Sequence, residues 1–171
     1  LTWEDEALTG LWMNREIPEE IKVLPDAVKQ WLDGYFLGRP GEISFPLNPT
    51  GTPFHKQVWK LLLTIPYGQT RTYGEIAREM AVLTGKEKMS SQAVGQAVGK
   101  NPISILIPCH RVVGTGGKLT GYAYGMEKKI WLYILHIFIK SFFVPNIAEF
   151  IFDFVFQIQN IIHCRFRRNA K

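Results

Sequence analysis

The 171-residue sequence predicts an α+β chain, with a small mixed N-terminal module and a helical second module that carries a helix-turn-helix. Three observations predict it. Apolar residues recur at helical spacing in several short stretches separated by turn residues. A proline- and glycine-rich connector divides the chain near residue 52. Charge changes sign at that point: Lys and Arg number 4 against 9 Asp and Glu in residues 1–52, 11 against 4 in 53–136 and 5 against 2 in 137–171. The balance is −5, then +7, then +3. A hydrophobic content of 46% and a charged content of 20% belong to a globular chain rather than a disordered one.

In the N-terminal module, Pro25 suits a first helical turn, and Val28, Trp31, Leu32, Tyr35 and Phe36 follow at i, i+3, i+4, i+7 and i+8. One helix is predicted there. Gly38, Pro40 and Gly41 stop it, and residues 45–51 read as an extended connector. The domain boundaries are therefore 1–52, 53–136 and 137–171.

The second module opens with Thr52 as N-cap and Pro53 as first helical residue, with Phe54, Val58, Leu61, Leu62 and Ile65 on one face. Thr72-Tyr73-Gly74-Glu75 has the form of a capping box, starting a second helix through Ile76, Ala77 and Met80. Residues 90–99 are small side chains closed by Asn101-Pro102, giving a third helix with a slim face. Two short helices in a basic segment make a helix-turn-helix, although a helical pair in a core has the same pattern. Ala93, Gly95 and Ala97 lack the long polar side chains that read a major groove, so the slim face suits minor-groove contact. The basic charge fits a polyanionic partner, and equally an ordinary solvated surface.

The run Ile103-Ser104-Ile105-Leu106-Ile107 is apolar and β-branched, which predicts a buried extended segment leading to Pro108-Cys109-His110-Arg111-Val112. A thiol becomes a nucleophile as thiolate, and an imidazole can take its proton. Neighbouring side chains on an extended strand point to opposite faces, so His110 serves Cys109 only through a bent backbone or a water. The two cysteines, Cys109 and Cys164, lie far apart, and no secretory signal precedes them, which sets a reducing, intracellular expectation. The four histidines and two cysteines lack metal-ligand spacing, so neither metal nor cofactor is expected.

Pro108-Cys109-His110-Arg111-Val112, preceded by Gly99-Lys100-Asn101-Pro102 and followed by Gly121-Tyr122-Ala123, resembles the methylated-DNA–protein-cysteine methyltransferases over roughly residues 8–133. The resemblance implies a ribonuclease-H-like N-terminal α/β domain and a helical C-terminal domain whose helix-turn-helix enters the minor groove of double-stranded DNA and extrudes an O6-alkylguanine. It implies single-turnover transfer of the alkyl group to Cys109, in a cytoplasmic, DNA-associated monomer. By the same resemblance His110 is the water-relayed base, Asn101 holds the turn around the cysteine, and Tyr73 protonates the leaving guanine. Gln92, Ala93, Gly95, Ala97, Tyr73 and Arg111 fall at DNA-contact positions. Val98, Val112, Tyr122, Ala123 and Tyr124 fall around the flipped base.

Three positions depart from the family pattern. Gln92 stands where many members carry arginine, and Tyr124 where glycine is usual, so a narrower pocket is expected. His136 occupies the position of the glutamate that completes the relay through His110, five residues after Trp131. Without that carboxylate the histidine loses orientation and basicity. A lesion-binding protein with weak or no chemistry is therefore the alternative function.

From about residue 134 the composition shifts to Phe, Ile and Asn and the resemblance ends. Ile147, Phe150, Ile151, Phe154, Val155, Ile158, Ile161 and Ile162 keep helical spacing, so an amphipathic, association-mediating helix is one reading and an altered end of the chain another. Lys140, Pro145, Glu149 and Asp153 interrupt the apolar run, so a membrane span is not expected.

Overall fold

A computed structural model describes residues 1–13 and 25–141, with side chains through residue 135. The chain starts with an antiparallel hairpin of β1 (Thr2–Glu4) and β2 (Ala7–Gly10). The connector lies along the hairpin: Leu8 N–H donates to the Pro46 carbonyl and Asn48 N–H to the Leu8 carbonyl, each at 2.9 Å. Leu11 N–H donates to the Pro102 carbonyl at 2.8 Å, tying the hairpin to the loop that precedes Cys109. Of the small α/β module, the described residues thus show the hairpin, single bridges from Leu8 to Leu47 and from Leu11 to Ile103, and helix α1 (Asp26–Phe36). Pro25 sits just before α1 and its carbonyl accepts from Val28 N–H. Val28 and Tyr35 are buried, at the spacing that predicted the helix.

Among the described residues four further α-helices follow. In α2 (Pro53–Leu63), Thr52 Oγ1 accepts from His55 N–H and proline occupies the first turn, where its missing donor costs nothing. In α3 (Tyr73–Leu83) both halves of the capping box form: Thr72 Oγ1 accepts from Glu75 N–H at 3.1 Å, and Glu75 accepts from Thr72 N–H at 2.6 Å. Ser90 Oγ caps α4 (Ser91–Gly99). Of these, α5 (Met126–Ser141) is the longest. A short parallel pairing of β3 (Arg71–Thr72) with β4 (Val112–Val113) places the start of α3 beside the segment that leaves Cys109.

One core joins elements on both sides of residue 52. Leu8, Val28 and Phe45 pack with Val58, Trp59, Leu62, Ile76, Met80, Val94 and Ile103. Trp59, which the periodic reading of α2 passed over, is fully buried, and its Nε1–H donates to the Ala97 carbonyl at 2.8 Å. That bond locks α2 to α4. A second cluster of Tyr35, Ile105, Leu132 and Leu135 joins α1 to α5. Among the described residues no helix is long and apolar enough to cross a membrane.

The expected extended segment at 103–107 is instead a compact turn. Ile107 N–H donates to the Ile103 carbonyl at 3.1 Å, Leu106 N–H to the Ser104 carbonyl at 2.9 Å, and Ile105 has φ of 71°. Ile103, Ile105, Leu106 and Ile107 are all buried as predicted. Burial of apolar side chains, however, rewards any backbone that removes them from water, so composition did not specify extension here. A β-branched residue at positive φ costs about 1–3 kcal/mol and persists only where its surroundings enforce it. The candidate site lies directly beyond it.

Candidate active site

Cys109 opens a single 3₁₀ turn, Cys109–Arg111, and is buried. The backbone there is bent rather than extended. Asn101 holds the turn from the end of α4. Its Nδ2 donates to the Ile107 carbonyl at 2.8 Å and to Cys109 Sγ at 3.1 Å, while its Oδ1 accepts from Ile103 N–H at 3.0 Å. One buried side chain thus braces the strained turn and touches the thiol. Burial pushes the Cys109 thiol up from its ordinary value, opposed by the Asn101 hydrogen bond, by the facing Tyr122 hydroxyl and by the Lys129 cation.

The thiol borders a cleft of about 690 Å³. Tyr73, Gln92 and Gly95 line it from α3 and α4, and Val98 and Asn101 from the end of α4. Tyr122, Ala123 and Tyr124 close the opposite side, the two tyrosine rings meeting edge to face at 5.5 Å between centroids. Burial raises the Tyr73 phenol above its usual value, so it stays protonated at neutral pH, and the Thr120 hydroxyl works the other way. Burial likewise raises Tyr122. The cleft therefore offers a thiol with proton-bearing phenols around it.

Lys129, which the motifs did not single out, is fully buried behind the cleft. Its Nζ donates to the Thr120 carbonyl at 2.7 Å and the Gly121 carbonyl at 3.2 Å, and lies 5.7 Å from the Tyr73 ring centroid. Burial lowers its pKa to about 8, with Cys109 pulling the other way. The signal in sequence is its place three residues before the core residue Leu132, on the inner face of α5. There the charge fixes the strand of chain that carries Tyr122.

His110 is fully buried, and its Nε2 lies 2.9 Å from the Tyr35 hydroxyl of α1. Tyr35 in turn stacks on Trp31 at 5.3 Å and meets Phe36, Tyr67 and His110 edge to face. Burial holds the Tyr35 phenol well above its usual value, with the Arg111 guanidinium beside it pulling down. Sequence periodicity placed Tyr35 on the inner face of α1 but could not show which side chain it would meet 75 positions later.

Three expected contacts move. Arg111, expected at the DNA, turns inward: its Nη1 donates to the Ile65 carbonyl at 2.6 Å and its guanidinium lies 5.5 Å from the Tyr67 centroid. The 3₁₀ turn that exposes one side of Cys109 to the cleft directs the second residue after it into the core. Ala97 is buried against Trp59 rather than lying on the outer face of α4, because its carbonyl is the acceptor for that indole. Val112 is buried in β4 and lies outside the cleft, whose lining on that side begins at Gly114. Gln92 and Gln96 are exposed, and Ala93 is half-buried. The side chain of His136 and all of residues 142–171, including Cys164 and the apolar tail, lie outside the described residues.

Residues 53–135 match the family model described as "6-O-methylguanine DNA methyltransferase, DNA binding domain". The chain is 49% identical over 121 residues to the methylated-DNA–protein-cysteine methyltransferase of Methanosarcina barkeri, covering 68% of this chain and 73% of the relative. It is 47% identical over 140 residues to the protein of the same name from Mycobacterium leprae, covering 77% of this chain and 81% of the relative. Among solved structures, Mycobacterium tuberculosis OGT in complex with DNA superposes with a TM-score of 0.60 at 45% identity, covering 67% of this chain and 68% of that one.

Proposed function

The chain belongs to the methylated-DNA–protein-cysteine methyltransferase family, and from that premise we propose that it repairs O6-alkylguanine in double-stranded DNA by moving the alkyl group onto Cys109. The observation that carries the proposal is Cys109 Sγ, hydrogen-bonded by Asn101 at the edge of a cleft whose rim holds Tyr73 and Gln92. In this reading α3 and α4 form the helix-turn-helix, and α4 enters the minor groove. Gln92, exposed in its first turn, fills the space left by the extruded base. The flipped guanine enters between Tyr73 and the Tyr122–Tyr124 wall.

The reaction is a displacement at carbon. His110 takes the thiol proton through a water, and the thiolate attacks the alkyl carbon in line with the carbon–O6 bond. A sulfur–carbon bond forms, the carbon–oxygen bond breaks, and the electron pair stays on guanine. Tyr73 gives its proton to the guanine ring and regains one from solvent, so the base leaves neutral. The thioether has no route back, so each chain turns over once.

Incubation with duplex DNA containing O6-methylguanine, followed by peptide mass spectrometry, is expected to place one methyl group on Cys109. An unlabelled Cys109 refutes the proposal. A second reading, a lesion binder with little chemistry, draws on the buried, raised thiol and on His136 at the relay position. It predicts tight binding of damaged duplex with negligible transfer, and unchanged binding in Cys109→Ala.

A further inference from the structure

The relay histidine has a partner that the motif does not contain. His110 sits 0% exposed, and so does Tyr35, whose hydroxyl reaches its Nε2 at 2.9 Å. Two buried polar atoms at that distance form a hydrogen bond that neither can trade for water, so the bond fixes the ring. Tyr35 is itself immobile. Trp31 stacks on one side of its ring, and Phe36 and Tyr67 meet it at interplanar angles of 86° and 87°.

We propose that Tyr35, supplied by the N-terminal helix, is the positioning residue for His110: its oxygen accepts the Nε2–H and so leaves Nδ1 as the basic nitrogen. An imidazole that must accept a proton carries hydrogen on one nitrogen only, and the partner of that nitrogen selects the tautomer. With Nε2–H held by Tyr35, the proton leaving Cys109 arrives at Nδ1. The imidazolium then keeps Nε2–H on the same oxygen, now as a charge-assisted donor, which strengthens the bond as charge develops. Tyr35 stays a neutral phenol throughout. It thus supplies orientation and a dipole where a carboxylate would add a full charge. The N-terminal module on this account contributes a functional group to the reaction centre besides its packing.

The inference rests on the alkyl-transfer reading above, and its test separates the two. Single-turnover transfer from O6-methylguanine duplex is measured for the full chain and for Tyr35→Phe, together with affinity for the same duplex. The ¹⁵N shifts of His110 are recorded in both proteins. Loss of an outer-shell partner typically costs 10- to 100-fold, so Tyr35→Phe is expected to transfer roughly 10- to 100-fold more slowly with affinity unchanged. His110 is expected as the Nε2–H tautomer in the unaltered chain and as a mixture in the variant. A variant rate within twofold of the parent overturns the inference, as does an Nδ1–H tautomer in the parent, which needs no variant to fold. A slower variant with an unchanged tautomer also overturns it, since that is what a purely structural role gives. If the parent itself transfers no methyl group, the alkyl-transfer reading fails, and the tautomers alone then decide whether Tyr35 positions His110.

Discussion

Asn101→Ala tests whether one side chain both braces the turn and tunes the thiol. The substitution removes three hydrogen bonds, of 2.8, 3.1 and 3.0 Å. Ile103 N–H is left buried without its acceptor, at about 1–3 kcal/mol. The Ile107 carbonyl keeps Cys109 N–H at 2.8 Å, so its loss is a single net bond of about 0.5–1.5 kcal/mol. Together these give about 1.5–4.5 kcal/mol, or a fall in melting temperature of roughly 3–18 °C for a chain of this size. The thiolate loses a donor as well. A hydrogen bond to a charged group contributes about 1.5–3 kcal/mol, which at about 1.4 kcal/mol per decade slows transfer roughly 10- to 150-fold. Removing the donor also shifts Cys109 further up, since Asn101 is the largest influence lowering it. Alkylation of Cys109 by iodoacetamide then needs higher pH than in the parent. A melting temperature within 2 °C and a transfer rate within threefold of the parent for Asn101→Ala would refute the assignment.

Lys129, with a pKa lowered to about 8 from 10.5, binds fewer protons folded than unfolded between those values, so it makes stability rise with pH across that window. Urea midpoints measured from pH 7.5 to 10.5 are expected to gain less with pH in Lys129→Met than in the parent, and parallel curves would contradict this. Tyr124→Gly removes a ring from the wall of the cleft, so transfer of a benzyl group is expected to speed up relative to methyl, read as the ratio of single-turnover rates on the two substrates. An unchanged ratio would show that Tyr124 does not limit group size. Arg78, midway along α3, and Lys100, at the C-terminal end of α4, are exposed, while Arg111 is buried. Alanine at Arg78 or Lys100 is expected to lower the salt dependence of duplex binding by about one unit of slope each. Arg111→Met, by contrast, is expected to reduce melting temperature without changing that slope, because its guanidinium serves the Ile65 carbonyl.

Local chemistry was legible in the sequence wherever the determinant is local. The Thr52 cap, Pro53 in the first turn and the Thr72–Glu75 box form as read, since each needs only residues two or three apart. The composition of the cleft was legible too, because Asn101, Cys109 and the Gly121–Tyr122–Ala123 segment belong to short contiguous motifs and line one cleft. Direction was not. A 3₁₀ turn rather than an extended strand sends Arg111 into the core, and nothing in an apolar run distinguishes a buried strand from a buried turn braced by an asparagine. The Tyr35–His110 and Trp59–Ala97 bonds span 75 and 38 positions, so they depend on how α1 and α2 dock rather than on any pattern along the chain.

That difference bears on how the missing glutamate is weighed. Read along the chain, His136 at the relay position removes the only visible support for His110, and the site looks disabled. In three dimensions the imidazole is held from the other module, by a phenol that is wedged among Trp31, Phe36 and Tyr67 and cannot leave. A phenol oxygen accepts from Nε2–H as a carboxylate would but brings no negative charge, so it preserves geometry while giving up part of the stabilisation of the imidazolium. Orientation without full charge compensation predicts a transferase that binds its lesion normally and reacts slowly. The rate of methyl transfer relative to the affinity for damaged duplex is therefore the measurement that separates a slowed repair protein from a lesion binder.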